Sequence, residues 1–192
     1  MAVLVILGIL LVVLLPRLGE AGDVAHEKLA RAGLVEIEAA IAEYEDHYGD
    51  FPPSRFDEAR WGAAPNANNV GAEALVLSLW SQDWAGTTLP EEKLVNLDGD
   101  ASSKPLARFA KPGLFEISDG WGNPVAYVHR RDYGKPFTYV TEDGETGEPV
   151  ESTVVARKVD TTGGWANANR FQLISAGLDG RFGTEDDLGN WR

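Results

Sequence analysis

The segment SAGLDGRFGTEDDLGNW, from Ser175 to Trp191, gathers Asp179, Asp186 and Asp187 around Gly180 and Gly183. Glycines let such a loop fold back on itself, so three carboxylates and some backbone carbonyls can converge on one point. Donors of that kind suit a hard divalent cation. Calcium accepts six to eight oxygens at about 2.3–2.6 Å in irregular geometry, whereas magnesium demands a tighter octahedron and suits a mixed carbonyl cage less. Without a cation the same carboxylates repel one another. The spacing departs from an EF-hand loop, which places acids at alternate positions and closes on a glutamate. On these residues alone, a calcium loop and an exposed acidic tail stand level.

Other candidates for chemistry are weaker. Asp98 and Asp100 flank Gly99 in NLDGD, and this stretch reads as a polar turn because the later acidic ligands of a calcium loop do not follow. His26, His47 and His129 have no partners at ligand spacing and read as surface residues. Glu142, Asp143, Glu145, Glu148 and Glu151 occur without an intervening base and read as a solvated loop. No phosphate-cradling loop, HExxH, GxSxG or glycine-rich dinucleotide turn occurs. The chain reads as a non-enzyme.

The elements that must carry these loops fit one domain with an appendage, since 192 residues bury a real core but rarely two. Thirty acids against seventeen bases give a net charge of -13, which opposes binding to nucleic acid or anionic lipid and favours cationic partners. No cysteine is present, which excludes disulfides and thiolate metal sites. Met1 to Leu15 hold no polar side chain. As a helix this run is about 22 Å long, short of the roughly 30 Å bilayer core. A membrane or filament anchor leads over a signal peptide, which needs a basic stretch and a small-x-small site, and over an all-round buried helix.

From Val24 to Tyr48 the apolar residues Leu34, Ile37, Ile41, Tyr44 and Tyr48 recur at steps of three and four, the mark of an amphipathic helix. Gly49, Pro52 and Pro53 end it. Pro16, Gly19 and Gly22 soften its middle. Residues 54–70 read as irregular, 71–80 as a short helix with Leu75, Leu79 and Trp80 inward, and 81–113 as loops. Four β-rich runs follow, at 124–130, 135–141, 151–159 and 170–176. The expected architecture is α+β, with the long helix packed on one face of a small antiparallel sheet.

Two separated pieces resemble the type IV pilin superfamily, most closely the major pseudopilin of type II secretion systems. Gly8 and Pro16 have the spacing of that family's apolar helix, and DGWGNPV from Asp119 is similar to its DPWGNPY segment, with Gly120 and Val125 in place of a proline and a tyrosine. The ending SAGLDGRFGTEDDLGNW resembles the pseudopilin's calcium loop. The resemblance implies an FTLIEL-like segment, with the family's N-terminal glutamate, ahead of Met1, which would lengthen the apolar part to about 21 residues, enough to span. It also implies side-chain ligands at Asp179, Asp186 and Asp187 and backbone carbonyl ligands at Ala176 and Leu188. Val3, Leu7, Gly8, Leu11, Leu14 and Pro16 would serve as membrane anchor before assembly and filament core afterwards.

The implied product is a structural subunit, with residues 1–48 as helix, 49–192 as a pilin-like head and 54–113 as an insertion. Implied partners are further copies of the chain in a helical homopolymer, a prepilin peptidase, an inner-membrane assembly platform, and the inner membrane itself. A periplasmic pseudopilus leads, ahead of an extracellular pilus for adhesion or motility. A secreted monomeric calcium-binding module is the competing class.

Overall fold

The computed structural model describes residues 22–191 apart from 85, 87 and 88. Helix α1 is Ala2–Tyr48, and the expected anchor residues Val3, Leu7, Gly8, Leu11, Leu14 and Pro16 lie in its part outside the described residues. Among the described residues, no helix is long and apolar enough to cross a membrane. Most of the predicted stripe on α1 is buried, through Leu34, Ile37, Ile41 and Tyr44 with Ala30 and Ala40, but Tyr48 at the end of the helix is 42% exposed and lies outside it. Each fully buried Leu or Ile contributes about 1.5–3 kcal/mol, so this stripe fixes the helix to the head. Gly49 stops the helix as predicted, with φ of 79° and its N–H donating to the Glu45 carbonyl at 2.7 Å.

What covers α1 is partly unexpected. Helix α3 (Val70–Leu79) lies in the same apolar cluster as the α1 stripe, through Leu75, Val76, Leu77, Leu79 and Trp80. Its predicted inward residues Leu75, Leu79 and Trp80 are buried, and so is every other residue from Gly71 to Leu79. A helix buried on all faces presents no amphipathic stripe. Gly71 allows this depth, because a Cβ there would collide with the Tyr127 carbonyl and the Tyr139 hydroxyl. The stretch expected as an irregular insertion therefore supplies core: Trp61, from the short helix α2 (Glu58–Trp61), with Leu75, Trp80, Leu89 and Ala107.

The four predicted strands occur, but they divide among small antiparallel sheets. Strands β1 (Leu94–Val95) and β2 (Glu116–Ile117) form one pair. Strand β3 (Ala126–His129) pairs with β6 (Phe171–Ser175), and β6 with β7 (Leu188–Gly189). Strands β4 (Phe137–Glu142) and β5 (Pro149–Val154) form a hairpin in register from Phe137 opposite Val154 to Glu142 opposite Pro149. Tyr127, Phe171 and Leu173 face the α1 cluster, while Ala126, Val128 and Ile174 face a second cluster with Phe137, Tyr139 and Phe182. The alternation along β3 and β6 is what lets one small sheet separate two cores.

The DGWGNP segment is the bracket between helix and sheet. Asp119 Oδ1 accepts from the Trp121 and Asn123 amides at 2.9 and 3.0 Å, and its Oδ2 accepts from Ser175 Oγ on β6 at 2.5 Å. Asn123 exchanges hydrogen bonds with the backbone of Glu142 on β4, through Oδ1 at 2.7 Å and Nδ2 at 3.2 Å. Gly120 lies against α1, where a Cβ would collide with the His26 carbonyl and the Ala30 amide. That contact leaves no room for a side chain at this position. Trp121 stacks on His26 with ring centres 6.2 Å apart.

Candidate metal centres

The C-terminal loop runs from β6 back to β7, and pairing of Ser175 with Leu188 closes its neck. Gly177, Gly180 and Gly183 all have positive φ, between 68° and 90°, which is the conformation that folds the loop back on itself. Asp179, Asp186 and Asp187 thereby share one turn, but their three carboxylates do not meet within the 4.8 Å of one another that a shared ion needs, so the expected convergence on one point is not seen. Their oxygens are largely engaged by the loop: Asp179 Oδ1 accepts from the Arg181 amide at 2.7 Å, Asp186 Oδ2 from the Asp179 amide at 3.0 Å, and Asp187 Oδ2 from the Gly183 amide at 2.9 Å. Asp187 Oδ1 is buried and has no donor. Burial, with Asp186 and Asp179 close by, pushes the Asp187 carboxyl up to about 6. Ala176 is buried at the mouth of the turn, and Leu188 opens β7.

This loop is laced to the β4–β5 hairpin. The Gly144 amide donates to the Asp179 carbonyl at 3.0 Å, and Thr141 Oγ1 donates to the Gly180 carbonyl at 2.5 Å. Arg181 reaches Asp143 Oδ2 through Nε at 2.9 Å and Nη2 at 2.6 Å. Amides and hydroxyl of the 143–146 turn, together with Arg181, hold the Asp143 carboxyl down at about 2. The acidic run at 142–151, expected as a merely solvated loop, thus provides the anchor for the C-terminal turn. The base that answers it lies 38 residues on, at Arg181.

A second group of acids is buried beneath the insertion. Glu73 in the first turn of α3, Asp98 in the turn after β1, and Glu116 on β2 place one oxygen each within 4.8 Å of one another. Among the described residues this is the sole set of three or more His, Cys, Asp or Glu side chains that meets so closely. Glu73 is 1% exposed and Glu116 fully buried. Burial, with Asp100, Glu116 and Asp98 around it, pushes the Glu73 carboxyl up to about 10. Burial likewise raises Glu116 to about 8, against the opposing Asn69 hydrogen bond, and raises Asp100 to about 6 with Asp98 beside it.

Compared with protein-family models, with curated proteins and with solved structures, the chain matches none.

The surroundings of the buried acids are organised. Asn69 caps α3 in the left-handed region at φ of 51°, donates Nδ2 to Glu116 Oε1 at 3.0 Å, and accepts the Val140 amide at 2.9 Å. Asn66 Nδ2 donates to Asp98 Oδ2 at 2.9 Å, and Asn96 Nδ2 holds the Asp100 carbonyl at 2.8 Å. The turn at Gly99 is present, with φ of 71°. It is more than the isolated polar turn expected from the sequence: Glu73 and Glu116, distant in sequence, each place an oxygen beside Asp98. The one signal in the chain was Glu73 itself, a lone acid inside the apolar run VGAEALVLSL.

The histidines divide. His26 and His47 are exposed, but His129 is 3% exposed, which corrects its reading as a surface residue. It is the last residue of β3, where both faces of the strand are covered. Its Nδ1 accepts the Arg131 amide at 3.1 Å, and its Nε2 lies 3.6 Å from Asp50 Oδ1. Burial lowers its basicity despite Asp50. Asp50 is also paired with Arg130 and Arg131, so this group is a structural tie between the end of α1 and β3.

Proposed function

We propose that the chain is the structural subunit of a type IV pilin-like filament, most like a major pseudopilin of type II secretion, and not a catalyst. The observation that carries the reading is α1: one helix, Ala2–Tyr48, whose second half is buried in the head through a stripe ending at Tyr44. Its first half has the apolar sequence of an anchor. Val24 and Val35, exposed at 50% and 64%, stand three turns apart on one face. Neighbouring helices in a filament core would cover them. In this reading the subunit waits in the inner membrane, is processed by a prepilin peptidase and is added to the homopolymer by an assembly platform.

The C-terminal turn takes calcium in the same reading, on Asp179, Asp186 and Asp187 with the carbonyls of Ala176 and Leu188. The buried, donorless Asp187 Oδ1 supports it. Calcium would hold β7 on β6 and so keep the head closed around α1. Because the chain has no cysteine, paired Val24→Cys and Val35→Cys substitutions report assembly directly. Oxidation in producing cells is expected to give a ladder of disulfide-linked multimers; monomer alone, with the chain membrane-associated, contradicts the filament.

A further inference from the structure

Five carboxylate oxygens in the buried acidic group have no hydrogen-bond donor: Glu73 Oε1 and Oε2, Asp100 Oδ1 and Oδ2, and Glu116 Oε2. The amide oxygen of Asn96, in the same loop as Asp98 and Asp100, is a sixth such atom. The large majority of buried side-chain oxygens in native proteins are paired, so this concentration calls for a partner. Protons are insufficient, since a protonated carboxyl gains a single O–H donor. One proton shared between Glu73 and Asp100 answers an oxygen of each, and a second answers at most two more, which leaves a carboxylate oxygen and the Asn96 amide oxygen without a donor.

A cation held between Glu73 and Glu116 answers oxygens of both, and Asp98 joins them there. Two ligands on opposite sides of an ion with bonds of about 2.4 Å are roughly 4.8 Å apart, and the oxygens of Glu73, Asp98 and Glu116 lie within that span. We propose that Glu73, Asp98 and Glu116 bind a calcium ion, with Asp100 beside them, at a site separate from the C-terminal loop. The donors are all oxygen, without histidine or thiol, which disfavours zinc. Magnesium retains several waters, and a pocket walled by side chains as buried as Glu73 and Glu116 has little room for them. Asn66 and Asn69, each donating to one carboxylate, orient ligands as outer partners do in metal sites.

The ion would join four segments that local hydrogen bonds connect only in part: the 66–69 turn, the start of α3, the 96–100 turn and β2. It would fasten the 54–113 stretch onto the head, which is a role the filament reading does not require. The site therefore stands or falls independently of that reading.

The test is equilibrium dialysis of the full chain in detergent micelles against radioactive calcium at pH 7.5, with magnesium in excess. An Asp186→Asn/Asp187→Asn double variant removes the C-terminal loop's contribution. This variant is expected to retain one equivalent of calcium per chain. Adding Glu73→Gln, which preserves volume, should weaken that binding by more than the roughly 10–100-fold that outer-shell changes cost. Asp98→Asn, at a less buried position, should do the same and serves where Glu73→Gln fails to fold. Absence of calcium from the double variant overturns the site. So does calcium binding unaltered by both substitutions, and displacement of calcium by magnesium overturns the choice of ion. Failure of the cysteine ladder would leave each of these results readable.

Discussion

The two acidic regions carry the same chemistry in opposite settings. In the C-terminal turn, three aspartates within nine residues meet the loop's own amides, and Arg181 and Asp143 tie the turn to the neighbouring hairpin. In the buried group, acids from α3, the 96–100 turn and β2 face each other with five carboxylate oxygens unanswered. A glycine-rich turn supplies its own donors because its N–H groups are free to point inward. A helix and a strand spend theirs on secondary structure. Acids adjacent in sequence are thus the less demanding of the two, and acids joined only by folding are the ones left without donors.

The largest expected effect separates the regions by pH. Without a cation, Glu73 and Glu116 take up protons on folding, because their folded values of about 10 and 8 exceed the ordinary 4.5. The folded state then binds more protons than the unfolded one, so stability falls as pH rises from about 5 towards 8, by on the order of 1 kcal/mol per pH unit for each retained proton. In EDTA the melting temperature should decline across that range. Saturating calcium should remove most of the decline and add roughly 3 kcal/mol at a hundredfold excess over Kd. Glu73→Gln should flatten the EDTA profile and lose much of the calcium response.

A smaller effect sharpens the C-terminal side. Gly180 has φ of 68°, and a Cβ there would collide with the Glu142 carbonyl. Gly180→Ala should destabilise the chain by about 1–3 kcal/mol through overpacking and strain, read as a lower denaturation midpoint with or without calcium. Asp187→Asn should be milder. It removes a carboxyl raised to about 6, so its stability relative to wild type should improve above pH 6 in EDTA and worsen in calcium. Arg181→Ala should have the smallest effect: faster amide exchange confined to the turn and to residues 143–147, with the α1 stripe unchanged.

Legibility in the sequence follows the same division. The α1 stripe, the stop at Gly49 and the β-rich runs were readable because helix period, turn chemistry and β-propensity are local. The acids of the C-terminal turn were readable for that reason too. Division of the strands into separate sheets was not, since pairing depends on contacts such as Asn123 to Glu142 that cross the chain. Glu73 is 25 residues before Asp98, and Glu116 is 18 after it, so no motif window holds the three. Burial of α3 on all faces hid its place in the core for a related reason: a helix without a polar side has no stripe to detect.

The most direct test of a folded-together cation site is anomalous diffraction from crystals of the full chain grown with calcium and collected at a long wavelength. An anomalous peak among the carboxylates of Glu73, Asp98 and Glu116, with oxygens at about 2.3–2.6 Å, is the predicted result. Those carboxylates hydrogen-bonded to one another, with no peak among them at saturating calcium, would contradict it.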